Sequence, residues 1–387
     1  MRNLSDTIAR LAAFKAMKQP AAPSATDDRL SDLGPFGSNP GALKGRIYLP
    51  KRRSKPMPLV VVLHGCTQSA AGYDAGTGWS VLADEAGFAL LFPEQVQANN
   101  LNGCFNWFQS SDFKRDQGEA LSIRQMIERM ATTYPIDRSR IYVTGLSAGG
   151  AMALVMLADY PELFAGGAII AGLPYGVATT IPGAFDTMRA HGLPDGPALR
   201  RLLPDAEPAT GWPTLSVWQG TGDRTVGAAN ADAIIEQWRG VHQVAAEPDE
   251  VVKSGRLTHR TWRDTGGGIC LEQLLIAGMG HGTPIDDKGP DALGAAGPFI
   301  LDVGIASTRL IAERWGLTEE NATSDVQTRA RVLEPDEMLV SAEMPMRDDP
   351  SARRQGTNGA KAEPAGHQGA GGIRKVIEDA LRQAGLM

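Results

Sequence analysis

From Gly45 to about Leu317 the chain alternates short apolar runs with longer stretches in which apolar residues recur at helical spacing. The runs "GRIYLP", "PLVVVLHG", "FALLFPE", "RIYVTGL", "GGAIIAG", "TLSVWQG" and "LEQLLIAG" read as strands. Their near-continuous hydrophobicity is what strands covered on both faces require. Between them, stretches such as "GEALSIRQMIERMATTY" and "NADAIIEQWRGV" carry the period of helices. The order predicts an α/β fold, a mostly parallel central sheet with helices on both faces.

The pattern differs at both ends. Residues 1–44 read as an amphipathic helix, with Leu4, Ile8 and Leu11 on one face, followed by a linker. Arg10, Lys15 and Lys18 break the continuous apolar core that a signal peptide needs. After the body at 45–317, residues 318–372 are rich in Glu, Asp, Pro, Gly, Ala and Arg, and are expected to be a disordered linker. In residues 373–387, Ile373, Val376, Ile377, Ala380, Leu381 and Ala384 fall on one helical stripe. The simpler expectation for both terminal helices is docking on the main domain. The alternatives are a granule surface or a second copy of the chain.

Composition narrows the classes. A hydrophobic content of 42% with 21% charged residues is that of a soluble globular protein. The net charge of -6 gives no reason to expect nucleic acid. No run of 18 apolar residues exists, so no membrane-spanning segment is expected. Cys66, Cys104 and Cys270 are too few for a disulfide scaffold and lack zinc-ligand spacing, which leaves the cytoplasm as the expected compartment.

Candidate chemistry begins at "RIYVTGLSAGGAMALVML", where a strand pattern gives way to a helix pattern at Gly-Leu-Ser-Ala-Gly-Gly. A nucleophilic serine must stand above the sheet on a tight strand-turn-helix, and the turn needs small residues two positions to either side. Gly145 and Gly149 flank Ser147 in this way. The helix after the turn would aim the Ala148 N–H at an oxyanion. An ordinary glycine turn is the plainer explanation, and it leaves unexplained an acid and a histidine placed in order further along the chain. Serine needs a base, and the base an orienting acid; in this architecture acid and then histidine come on loops after later strands. Asp223, beyond "TLSVWQG", and His281, beyond "LEQLLIAG", meet that order. Asp232 reads as a helix residue, and Asp286 and Asp287 come after His281 instead of preceding it. His242 and His259 read as a helix end and a strand, His191 as part of an insertion, and His367 as part of the tail. "VVVLHGCTQS" resembles the strand end that supplies the second oxyanion donor, here the Cys66 N–H, with His64 holding the loop by hydrogen bonding.

The stretches "LHGCTQSAAGYDAGTGWSVLADEAGFALLFPEQ", "NGCFNWF", "YPIDRSRIYVTGLSAGGAMA", "YPELFAGGAIIAGLPYG" and "GMGHGTP" together resemble the polyhydroxybutyrate depolymerase family of α/β-hydrolase esterases, related to feruloyl and acetylxylan esterases. The resemblance covers roughly Gly45 to Leu317. It implies Ser147 as nucleophile, Asp223 and His281 as its partners, and the Cys66 and Ala148 amides as the oxyanion hole. It also implies aromatic lining of the substrate cleft, with Trp107 balanced between cleft and core and Phe105 in the core. In exported relatives Cys66 and Cys104 would pair as a disulfide. The expected activity is cofactor-free and metal-free ester hydrolysis of polyhydroxybutyrate or its oligomers. A feruloyl, acetylxylan or short-chain carboxylesterase is the nearer alternative, and a non-catalytic granule-associated protein the distant one.

Overall fold

The computed structural model describes residues 28–51, 56–206, 208 and 211–318. The N-terminal helix expected around Leu4–Leu11, nearly all of the 318–372 linker and the 373–387 helix lie outside the described residues.

Among the described residues, β1 (Ser31–Asp32), β2 (Lys44–Tyr48), β3 (Met57–Leu63), β4 (Ala89–Glu94), β5 (Ile136–Leu146), β6 (Gly166–Ile170), β7 (Thr214–Gly220), β8 (Glu250–Ser254), β9 (Leu257–Arg263) and β10 (Ile269–Ile276) form one sheet. The order across it is β1-β2-β4-β3-β5-β6-β7-β10-β9-β8. The six central strands, β4 to β10 in that order, run parallel. β2 and β9 flank them antiparallel. A small parallel pair, β11 (Thr283–Ile285) and β12 (Ile300–Asp302), lies apart. The helices are α1 (Ala70–Thr77), α2 (Trp79–Ala86), α3 (Ser110–Phe113), α4 (Gly118–Thr133), α5 (Ala148–Asp159), α6 (Ile181–Met188), α7 (Gly196–Leu202), α8 (Ala229–His242) and α9 (Ser307–Arg314).

The apolar runs are continuous because each central strand feeds two cores. Successive side chains of a strand point to opposite faces. Leu59, Val61 and Leu63 of β3 join a core with Met126 of α4 and Met152 of α5. Val60 and Val62 enter a second core with Leu82 of α2 and Leu310 of α9. α5 is buried along its whole length, as a helix apolar all round must be.

The body begins earlier than Gly45. Leu30, Leu33, Phe36 and Leu43 are all buried, and β1 pairs with β2. Four apolar residues without regular spacing gave no strand or helix signal, so residues 28–44 read as linker although they are packed. At the other end, Trp315 closes the second core after α9. Its ring stacks on Tyr142 of β5 at 4.7 Å and on Trp79 at 6.2 Å, and the Tyr142 hydroxyl donates to the Trp315 carbonyl at 3.1 Å.

Trp315→Ala is therefore expected to lower unfolding stability by about 3–5 kcal/mol in urea denaturation. A loss below about 1 kcal/mol, typical of a surface substitution, would show that the stack contributes little.

Candidate active site

β5 ends at Leu146 and α5 starts at Ala148, so Ser147 alone makes the turn. Its φ of 57° and ψ of −119° are rare for a residue with a side chain. Such conformations cost on the order of 1–3 kcal/mol and persist where the surroundings impose them. Here the Ser147 N–H donates to the Ile170 carbonyl of β6 at 2.9 Å, and its own carbonyl accepts from Ala151 at 2.8 Å. Gly149 explains the small-residue requirement: a Cβ there would run into the backbone carbonyl oxygens of Leu63 and His64. The first helical bond arrives only at Ala151, which leaves the Ala148 amide at the positive end of α5.

Asp223 lies three residues beyond β7 and His281 five beyond β10, both after the C-terminal ends of parallel strands, as Ser147 lies after β5. This is the edge at which open α/β sheets collect ligands. His281 Nδ1 and Asp223 Oδ2 are 2.7 Å apart, with the Asp223 side chain fully buried. The carboxylate is saturated with donors. Oδ1 accepts the Thr225 and Val226 amides, each at 2.8 Å, and Oδ2 also accepts Gln219 Nε2 at 3.1 Å. An acceptor-only carboxylate requires His281 Nδ1 to carry the proton, which leaves Nε2 as the basic nitrogen.

The competing residues lie elsewhere. Asp232 is on α8 and accepts from Gln273. Asp286 accepts the Lys288 and Gly289 amides. His259 pairs with Glu272 at 2.9 Å, while His242 ends α8, where burial pushes its imidazole down to about 4. His191 is exposed and His367 lies outside the described residues.

His64 ends up in a holding position. It is buried, its Nδ1 is 2.7 Å from the Gly65 carbonyl, and its Nε2 accepts the Gln95 amide at 3.1 Å. Desolvation lowers its pKa, with the Gly65 contact opposing. Cys66 is joined to Cys104 by a disulfide, and the Thr67 N–H donates to the Asn102 carbonyl at 2.7 Å, so the loop after β3 is tied to the segment after β4. Trp107 keeps only 6% of its surface exposed and belongs to the core that also encloses Phe105. It offers little area for substrate contact. Phe105 lies against the His64 ring at 5.1 Å.

Three residues near the site carried no sequence signal. Gln219 supports Asp223 four residues on, and Gln95 supports His64 from across the fold, through hydrogen bonds that no periodicity marks. Phe299 sets its ring 5.8 Å from that of His281, at a φ of 60°, and its carbonyl accepts the Thr283 amide at 2.9 Å. A bulky residue at positive φ marks an imposed geometry, which no spacing rule reveals.

Comparisons with known proteins place the chain in a family and a fold. Residues 43–246 match the family described as esterase PHB depolymerase. The chain is 42% identical to a poly(3-hydroxyalkanoate) depolymerase C from Paucimonas lemoignei over 293 residues, covering 74% of this chain and 70% of that one. It is 29% identical to a feruloyl esterase B from Talaromyces funiculosus over 266 residues, 66% of this chain and 74% of that one. An acetyl xylan esterase structure from Aspergillus awamori shares the fold, with a TM-score of 0.63 at 21% identity over 75% of this chain and 99% of that chain.

Two outcomes are expected. Gly149→Ala should force α5 away from the Leu63–His64 backbone, lowering stability by about 1–3 kcal/mol and removing most esterase activity; an unchanged melting curve would disprove the close approach. His64 binds its proton less readily when folded than at the unfolded value of about 6.5, so stability should fall as pH drops through that value. His64→Gln should make this acid limb shallower in pH-dependent urea titrations, whereas parallel curves would contradict the buried neutral imidazole.

Proposed function

The chain belongs to the PHB depolymerase family of esterases, and from that membership we propose that it hydrolyses poly(3-hydroxybutyrate) or its oligomers through an acyl-enzyme formed on Ser147. It is a carboxylic-ester hydrolase of the α/β-hydrolase fold. The observation that carries the chemistry is the 2.7 Å contact between His281 Nδ1 and a fully buried Asp223, on the sheet edge that also presents Ser147. His281 Nε2 takes the proton from Ser147 as the hydroxyl attacks the ester carbonyl. Asp223 holds the imidazole in the required tautomer and stabilises the imidazolium. The Ala148 and Cys66 amides stabilise the tetrahedral oxyanion. His281 then protonates the departing alkoxide, and the acyl-enzyme is hydrolysed by water with the roles reversed.

The polyester reading is favoured over a feruloyl or acetylxylan substrate by the higher identity to the depolymerase, 42% against 29%. Granule docking or self-association through the terminal helices is a further part of the proposal that concerns residues outside those described. The direct test is release of 3-hydroxybutyrate from amorphous polymer by purified protein, run beside methyl ferulate and acetylated xylan. Release from the polymer at a higher kcat/KM than either supports the reading. Turnover of methyl ferulate alone would reassign the substrate while keeping the mechanism.

Ser147→Ala and His281→Ala are each expected to lower kcat by about 10⁴-fold or more, with the double variant little worse than either single one. Asp223→Asn has a structural reason to fail. If the amide oxygen keeps the Thr225 and Val226 amides, its NH2 faces His281 Nδ1 and forces the wrong tautomer, for a loss of about 10⁴-fold. Multiplicative losses in the Ser147/His281 double variant, or full activity in Asp223→Asn, would contradict the assignment.

A further inference from the structure

On the proposed mechanism the Cys66 amide is one of two donors to the oxyanion, and its direction is set by the other end of its own peptide unit. The carbonyl of that unit belongs to Gly65 and lies 2.7 Å from His64 Nδ1. A trans peptide is planar with C=O and N–H pointing opposite ways, so anchoring the Gly65 oxygen aims the Cys66 N–H. His64 donates from Nδ1 because its Nε2 accepts the Gln95 backbone N–H at 3.1 Å.

Gln95 is in turn held by its own side chain. Its Nε2 donates to Glu119 Oε1 at 2.6 Å and to the Cys104 carbonyl at 3.1 Å, while its Oε1 accepts the Val96 amide and Asn99 Nδ2, each at 2.9 Å. Glu119, at the start of α4, is the common end of these contacts. Its Oε1 also accepts Asn106 Nδ2 at 2.7 Å, and its Oε2 accepts the Asn106 amide at 2.8 Å. One carboxyl thus gathers the segment after β4 and the segment whose Cys104 is bonded to Cys66.

The carboxyl is an expensive choice for this place. Glu119 is 1% exposed, and among the described residues no Lys, Arg or His is paired with it. Burial pushes its pKa up to about 8 against the opposing Asn106 and Gln95 hydrogen bonds. Stability alone gives little reason to bury a carboxyl group here without a counter-ion, since an apolar side chain of similar volume avoids the desolvation. A fixed acceptor for three converging N–H groups does suit a loop whose donor must not reorganise as charge develops on the substrate.

We infer that Glu119 is a positioning residue: through Gln95 and His64 it holds the Gly65–Cys66 peptide so that the Cys66 N–H faces the developing oxyanion. This rests on the proposed serine mechanism. Glu119→Gln keeps the volume and turns one acceptor oxygen into a donor opposed to an N–H. In the full chain, kcat on p-nitrophenyl butyrate, corrected for active sites titrated with a fluorophosphonate, should fall about 10-fold or more, with KM changed by no more than about twofold. The inhibition constant of a trifluoromethyl ketone, which forms the tetrahedral oxyanion, should rise by the same factor. Gln95→Met, which cuts the same chain without altering Glu119, should repeat the split. A purely structural role would lower the melting temperature or the active fraction and leave both constants of the folded fraction unchanged. That result in either variant overturns the inference, as does failure of both variants to fold. Ser147→Ala assayed in parallel separates the two ideas: if it stays active the serine mechanism itself is wrong, and if it is dead while Glu119→Gln is unaffected only the positioning role falls.

Discussion

The backbone of Gly149 lies against the carbonyls of Leu63 and His64, with no room for a side chain between them. On the proposed mechanism, that contact makes two requirements of ester hydrolysis into one constraint. It lets α5 approach the end of β3 closely enough for Ser147 to occupy its turn at a φ of 57°, and it sets the start of the Gly65–Cys66 loop at a fixed distance from the serine. The local conformation is unfavourable, so its persistence depends on the packing around it. α5 is buried over all twelve of its residues and β3 over all seven, so neither element can relax without opening a core. Interiors packed at this density pass strain on instead of absorbing it.

Around this rigid centre, two buried carboxyl groups are held largely by neutral donors. Asp223 is surrounded by two backbone amides, a glutamine and His281. Glu119 is surrounded by an asparagine amide, its side chain and a glutamine. Both arrangements fix an acceptor without pairing it, among the described residues, to a Lys or Arg. For Asp223, on the proposed mechanism, this leaves a carboxylate to stabilise the imidazolium of His281. For Glu119 the consequence is order in a loop that a surface salt bridge, worth little and screened by salt, would hold poorly.

Much of this was legible in the sequence wherever a local pattern carried it. The seven apolar runs became β2 to β7 and β10, because strands buried on both faces cannot hide their composition. Ser147, Asp223 and His281, the residues of the proposed mechanism, each follow a strand at a turn with a chemical requirement of its own, and the structure sets the last two 2.7 Å apart. Of the β8–β9 hairpin only β9 was legible, as the strand around His259; β8 is an edge strand exposed or half-exposed along its length and shows no apolar period. Glu119 was hidden for a different reason. An acid in the first turn of a helix is already explained by the helix dipole, so nothing in "GEALSIRQ" says that this one is buried. Gln95 and Phe299 act on partners distant in sequence or through backbone geometry, and Gln219 through a side chain reaching only the next few residues; such relations have no period to read. Trp107, balanced between cleft and core in the sequence, joins the core and keeps only 6% of its surface exposed.

The central claim is that one serine, and only that one, is activated by the folded arrangement around it. Labelling of the intact protein with a fluorophosphonate, followed by proteolysis and mass mapping, tests it most directly. A single adduct on Ser147 is the expected result, lost when the protein is unfolded before labelling. An adduct on any other residue, or none in folded protein that hydrolyses esters, would contradict the account.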